Sequence, residues 1–153
     1  MKEGSSPANG GMTIIVKSIT RFVGVMVMLF GVYIVLHGHL TPGGGFAGGV
    51  LLASGVVLLT LAFGKNVALK ILPQWLASAL ESVGALIFLG VALLGFSGGF
   101  FFLNFLPKGT AGKLFSAGII PICNVGIGIK VGAALFAVFM VLIMLRIKPG
   151  KEE

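Results

Sequence analysis

An all-α membrane protein, a bundle of four transmembrane helices with both termini cytoplasmic, is the fold class that the sequence predicts. Three observations predict it. The 153 residues are 57% hydrophobic and only 10% charged, against about 25% charged in an ordinary soluble domain. Mean hydropathy is +1.12, and the apolar residues gather into four runs long enough for the ~20 helical residues that cross a hydrocarbon core. The cations flank these runs instead of forming one stripe. Eleven Lys and Arg with four Glu cannot cover a water-facing surface of this size, which excludes a soluble enzyme domain. Gly is abundant without a three-residue period, so a collagen-like chain is excluded, and the apolar content excludes disorder. One cysteine, Cys123, excludes a disulfide framework and any multi-cysteine metal or iron–sulfur site within the chain.

The elements follow in order. Residues 1–13 read as a flexible cytoplasmic tail and 147–153 as a second one, flanking a single transmembrane domain over 14–146. The first span covers about 14–36. Its apolar part is long and no small-x-small cleavage site follows it directly, so it reads as a retained helix and not a signal peptide. The second covers 46–63, the third 76–96 and the fourth 121–145. None alternates as barrel strands do, and a spanning segment must satisfy its own backbone, so each is expected to be helical. Trp75, beside Pro73, reads as an interfacial anchor at the start of span three. The stretch between spans two and three, with Lys65 and Lys70, reads as a loop. Residues 97–120 are too apolar for a free loop and are expected to lie in the outer interface or on a neighbour. No internal repeat is visible, which argues against an inverted-repeat transporter.

Orientation comes from counting cations. Lys2, Lys17, Arg21, Lys65, Lys70, Arg146, Lys148 and Lys151 fall on one side of a four-span chain, and Lys108 and Lys113 on the other. That bias places both termini in the cytoplasm. With net charge +7, the flanking pattern points to a lipid bilayer and not to nucleic acid.

The densest signal is HGHLTPGGGFAGG, residues 37–49, between spans one and two. Physically it is a helix end, a sharp reversal and a helix start. Pro42 restricts the residue before it. Gly43, Gly44 and Gly45 permit a reversal that other residues resist. Gly45, Gly49 and Ala53 recur every four residues and leave one face of span two nearly bare, as closely packed membrane helices require. A tight, well-packed hairpin explains all of this. A phosphate cradle does not, because no Lys-Ser/Thr follows the glycines. His37 and His39 are two apart and point to different faces. Without a nearby acid or cysteine they make a poor metal site. A proton relay and a structural hydrogen-bonding role both remain open for them.

Two ionisable residues lie within spans, where charge is costly and functional by default. Glu81 is six residues past Trp75, about 9 Å into the membrane, and Lys130 is 16 residues before Arg146, about 24 Å from the same side. The axial gap of roughly 15 Å predicts no direct pair between them unless span three is displaced along its axis. Lys130 is then expected to face a carboxylate of another subunit or a water chain, or else to snorkel outward if span four starts at Val125. The same snorkelling explanation applies to Glu81. Gly128 and Gly132 frame Lys130 in a G-x-x-x-G pair that suits close helix contact. Pro121 and Asn124 suit a loosened or capped start of span four, and Asn124 is polar enough to bond across helices. Cys123 reads as a small apolar filler.

Two of these segments together resemble one family. The hairpin HGHLTPGGGFAGG is similar to the signature of the B subunit of Mrp-type multisubunit sodium/proton antiporters, and IPICNVGIGIKVGAAL, residues 120–135, is similar to that family's fourth span. Its Asn-x-x-x-Gly-x-Lys-Val form resembles the archaeal branch, whose homologous subunits sit in membrane-bound hydrogenase and sulfur-reducing complexes as well as in antiporters. The resemblance covers most of 14–146. It implies a four-helix subunit of the cell membrane without cofactor, assembled with other small membrane proteins and with larger proton-pumping subunits. It implies a complex that exchanges sodium for protons, with any redox chemistry carried by other subunits. The motif positions are His37, Gly38, His39, Pro42, Gly43, Gly44, Gly45, Phe46, Gly48 and Gly49, then Pro121, Asn124, Gly128 and Lys130. Some bacterial members carry an acid in span four where this chain has Asn124 or Lys130, so a cation site built on that acid does not carry over.

The expected function is therefore an accessory subunit, not an enzyme by itself, lining or stabilising an ion path at subunit interfaces. Lys130, Glu81, His37, His39 and Asn124 are the ion-path candidates. Gly38, Pro42, Gly43, Gly44, Gly45, Phe46, Gly48, Gly49, Pro121, Gly128 and Gly132 are the packing candidates. Expected partners are other membrane subunits, the bilayer, sodium ions and protons, with no metal. The alternatives are a purely structural scaffold, or a stand-alone channel.

Overall fold

The computed structural model describes residues 12–110, 112–113 and 116–147, and these form helices and loops with no strand among them. Helix α1 is Ile14–His37, α2 Gly44–Phe63, α3 Lys65–Ile71, α4 Gln74–Leu94 and α5 Ile120–Ile147. A 3-10 turn over Gly95–Gly98 extends α4. The four long helices are each long and apolar enough to cross a membrane. Only 17–33% of each spanning window is buried within the chain, so most of the apolar surface needs lipid or other protein as its solvent. The expected tails lie outside the described residues apart from 12–13 and 147.

Local sequence sets the helix ends. Gly43 and Gly44 adopt φ of +130° and +63°, the left-handed region that a side chain resists, and the chain reverses there into α2. The N–H groups of Leu40 and Thr41 close the preceding turn on His37 O. Gly64, at φ +88°, stops α2 and donates its N–H to Thr60 O. Pro73 separates α3 from α4, since the residue before a proline leaves helical space. Pro121 occupies the first turn of α5, where its missing N–H costs nothing.

The helices stand in the order α1, α2, α5, α4, with α1 also reaching α5. Backbone meets backbone at each crossing. A Cβ on Gly31 of α1 would lie 3.1 Å from Gly48 O, one on Gly49 of α2 would lie 2.8 Å from Gly128 O, and one on Gly84 of α4 would lie 2.6 Å from Gly126 O. Residues 45 and 49 of α2 meet 124 and 128 of α5, so these two helices run parallel. Helices α1 and α4 run against them. Phe136 and Met140 of α5 are fully buried with Ala68 of α3 and Ala77 of α4.

Boundaries of three spans shift from the sequence reading. Span two starts at Gly44 and not Phe46, span three starts at Gln74, and span four runs from Ile120 to Ile147. The stretch after span two holds a helix, α3, where a loop was expected. Seven residues with two Lys and an Asn carry too little periodicity to read as a helix. Its Ala68 nevertheless joins Ala77, Phe136 and Met140 in a buried cluster, and Leu69 and the following Leu72 lie against that cluster, as do Ile143 and Met144 of α5. The apolar stretch before α5 folds back on its own chain. Asn104 Oδ1 accepts the N–H groups of Leu106 and Ile119 at 3.3 Å, while Phe100, Phe101 and Phe105 stay exposed.

Candidate functional site

Two polar clusters sit along α5. The first lies where α5 meets the α1–α2 hairpin. The first N–H groups of any helix lack a partner within that helix. Gly43 precedes α2 and offers no side chain to cap it. Asn124 of α5 supplies the cap from another helix: its Oδ1 accepts the Gly45 N–H at 3.3 Å. A Cβ on Gly45 would collide with the Asn124 backbone, and one on Gly38 would lie 2.7 Å from Asn124 Nδ2. The glycines of the hairpin thus make room for one asparagine. Asn124 Nδ2 itself is buried with no partner among the described residues.

The two histidines separate. The His37 ring stacks on Tyr33 with centroids 4.2 Å apart, and its Nδ1 donates to Tyr33 O at 3.1 Å. His39 Nε2 donates to Lys113 O at 3.2 Å and ties the hairpin to the 99–119 loop. These tautomers follow from the carbonyl partners, which can only accept. Thr41 Oγ1 donates to His37 O at 3.1 Å. Phe46 points outward, 64% exposed. Pro42 is exposed in the reversal and Pro121 half-buried. Cys123 is half-buried.

The second cluster is Lys130 with Glu81. Lys130 Nζ donates to Glu81 Oε1 at 3.4 Å. This corrects the expectation that no direct pair forms and that Lys130 looks elsewhere for its carboxylate. The depth count took Trp75 and Arg146 as level. They are not: Ala77 near the start of α4 packs with Phe136 and Met140, so α5 continues about one to two turns beyond the start of α4. Ala68 of α3 joins the same buried cluster. Helix α5 also starts at Ile120 and not Val125, which puts Lys130 ten residues, about 15 Å, into the helix. Its ammonium turns to Glu81 and does not snorkel.

The pair stands on the outside of the bundle, with side chains 47% and 41% exposed for Lys130 and Glu81. Asn124 and Lys130 are six residues apart, about 9 Å along α5 and about 120° around it. The structure therefore brings Lys130 to Glu81, and Asn124 to the glycines of the hairpin, but it does not merge the two clusters into one groove. Gly128 sits against Val35 and Gly49, and Gly132 beside Gly49 and Leu52. Among the described residues no group of three His, Cys or acidic side chains could hold a metal ion.

Sequence reasoning missed Gly84. A Cβ there would lie 2.8 Å from the Lys130 backbone N, so this glycine seats α4 on α5 and sets the height at which Glu81 meets Lys130. Its place three residues after the only spanning acid was the available signal. Asn104 was missed as well.

With this geometry in view, comparison with known proteins decides the family. Residues 15–137 match the family model described as a domain related to the MnhB subunit of Na+/H+ antiporter. The chain belongs to this family. An uncharacterized protein of Methanocaldococcus jannaschii is 38% identical over 137 residues, covering 82% of this chain and 50% of that protein. The B-type component of the Na(+)/H(+) antiporter of Bacillus subtilis is 35% identical over 104 residues, covering 62% of this chain and 72% of that protein. The putative antiporter subunit mnhB2 of Staphylococcus epidermidis is 43% identical over 60 residues, covering 39% and 43%. The chain thus spans about half the length of the first of these relatives. A chain in the structure of the membrane-bound sulfane sulfur reductase, an archaeal respiratory membrane complex, superposes with a TM-score of 0.76 at 32% identity, covering 92% of this chain and 62% of that one. With four apolar spans and these membrane-complex relatives, this MnhB-family chain is a multi-pass protein of the cell membrane.

Proposed function

We propose that the chain is an accessory membrane subunit of a sodium/proton antiporter-type module, free-standing or built into an archaeal respiratory complex. Its single four-helix domain sits with both termini in the cytoplasm, and its Lys130–Glu81 pair lines an ion path where it meets another subunit. The observation that carries this reading is an ion pair well inside two spans yet exposed on the bundle surface. Ionised groups in hydrocarbon are retained where they serve a path or a contact. With one carboxylate in its spans, the chain does not exchange two cations alone, and transport belongs to the assembly. His37, His39 and Asn124 lie at the far end of α1 and α2, at the outer mouth of the path.

The test is sodium-driven proton flux in vesicles holding the whole complex. Lys130→Ala is expected to change the flux per assembled complex. Unchanged flux and unchanged assembly would remove the proposed role.

A scaffold role is favoured by a different observation, the backbone-to-backbone seats at Gly45, Gly49 and Gly84. In that reading Gly49→Leu abolishes assembly, while Lys130→Ala and Glu81→Ala leave transport intact.

A further inference from the structure

Next to the pair, one flank of α4 and α5 carries small and polar side chains, with the larger Ile127 and Val141 of α5 and Leu89 of α4 further along the same strip. On α4, helical spacing puts Ser78 and Ala85 beside Glu81, three before and four after it. All three lie on the side next to Lys130, and Ser78 and Ala85 are exposed. On α5, Ala134 and Ala137 lie four and seven residues after Lys130 on the same strip, both half-exposed. This strip is turned away from α1. Val35 of α1 reaches α5 at Gly128, which lies about 160° around the helix from Lys130.

We infer that this flank is the docking surface for a transmembrane helix of a different subunit, one that carries a hydrogen-bonding side chain at the depth of Lys130. Three features point to this occupant. First, an ammonium has three donors and a carboxylate two oxygens, and among the described residues one N–H and one oxygen are used. The remaining groups face outward, where lipid tails bond nothing. Second, the strip is floored by Ser and Ala, the residue types that let a membrane helix approach closely. The exposed side of α1 has no such floor and carries Phe22, Leu29 and Phe30 instead. Third, a second copy docked by two-fold symmetry about the membrane normal would place its own strip here, setting ammonium near ammonium at equal depth. The inference rests on the chain being a complex subunit, and it holds whether or not ions pass at this interface.

The test uses the intact complex in native membranes. In a Cys123→Ala background, Ser78→Cys and Ala85→Cys receive a thiol-directed benzophenone, with Leu29→Cys on the exposed apolar side of α1 for comparison. The expected result is a light-induced adduct from positions 78 and 85, absent from 29, mapped to an apolar spanning segment of another polypeptide that contains a Ser, Thr, Asn, Gln, His, Asp or Glu. A second copy of this chain as the adduct, or adducts to lipid alone, would overturn it, and so would a partner segment with no polar residue. A complementary measurement is recovery of the assembled complex from Glu81→Leu/Lys130→Leu, in which no charge is left unpaired. Reduced recovery with normal chain insertion supports a bonded partner, and full recovery contradicts one. Altered sodium flux bears on the ion-path reading and not on this one, so the two can fail separately.

Discussion

Adding one carbon atom at Gly49 should destabilise the bundle, and adding the same atom at Gly90 should not. At position 49 the new Cβ would stand 2.8 Å from Gly128 O and 2.9 Å from Val131 Cβ. Ordinary contact needs more than half an ångström beyond that, and both obstacles are fixed to α5. Helices α2 and α5 must therefore separate, which loosens the crossing where Asn124 reaches Gly45. Overpacking of this kind costs about 1–3 kcal/mol, offset in part by the ~1 kcal/mol that alanine gains over glycine in a helix. Because two rigid contacts are violated, a net loss of about 1–2 kcal/mol is expected for Gly49→Ala. A Cβ on Gly90 meets nothing within 4 Å, so Gly90→Ala keeps only the helix gain. The assay is unfolding of the purified full chain by SDS in mixed micelles, followed by circular dichroism. Equal stability of Gly49→Ala and the parent, or equal damage at both positions, would refute the reasoning.

Other substitutions probe other links. Asn124→Leu leaves the buried Gly45 N–H without an acceptor and should cost about 1–3 kcal/mol; hydrogen exchange should quicken at the first turn of α2 and not in α4. Asn104→Ala removes the acceptor shared by Leu106 and Ile119, so limited proteolysis should cut within 99–119 faster while the spans stay protected. Gly84→Val forces α4 off α5 and should break the Lys130–Glu81 pair, so it should lower the yield of folded chain more than Gly90→Val.

The spans were legible because hydropathy and length suffice to find them. The glycine hairpin was legible for a related reason: few arrangements other than a tight reversal explain so many glycines beside a proline. What the hairpin encloses was less legible. The sequence suits Asn124 to a cap of span four or to a bond across helices, and the second is what forms: its Oδ1 accepts the Gly45 N–H of α2, from a partner 79 residues away that no local pattern picks out. Lys130 and Glu81 were singled out by their cost in lipid, but their contact was misjudged. Depth counted from helix ends assumes that helices begin level, and here α5 runs past the start of α4, where Ala77 meets Phe136 and Met140 beside Ala68 of α3. Short amphipathic helices between spans leave little periodic signal, so sequence alone hides such displacements.

The most direct test of the ion-path claim is a double-mutant cycle on sodium-driven proton uptake in vesicles with the assembled complex. The variants are Lys130→Met, Glu81→Gln and both together, each normalised to complex content. The account predicts that each single variant lowers the rate, and that the double variant falls well short of the product of the two losses because the residues act as one pair. Rates equal to the parent in all three would contradict it.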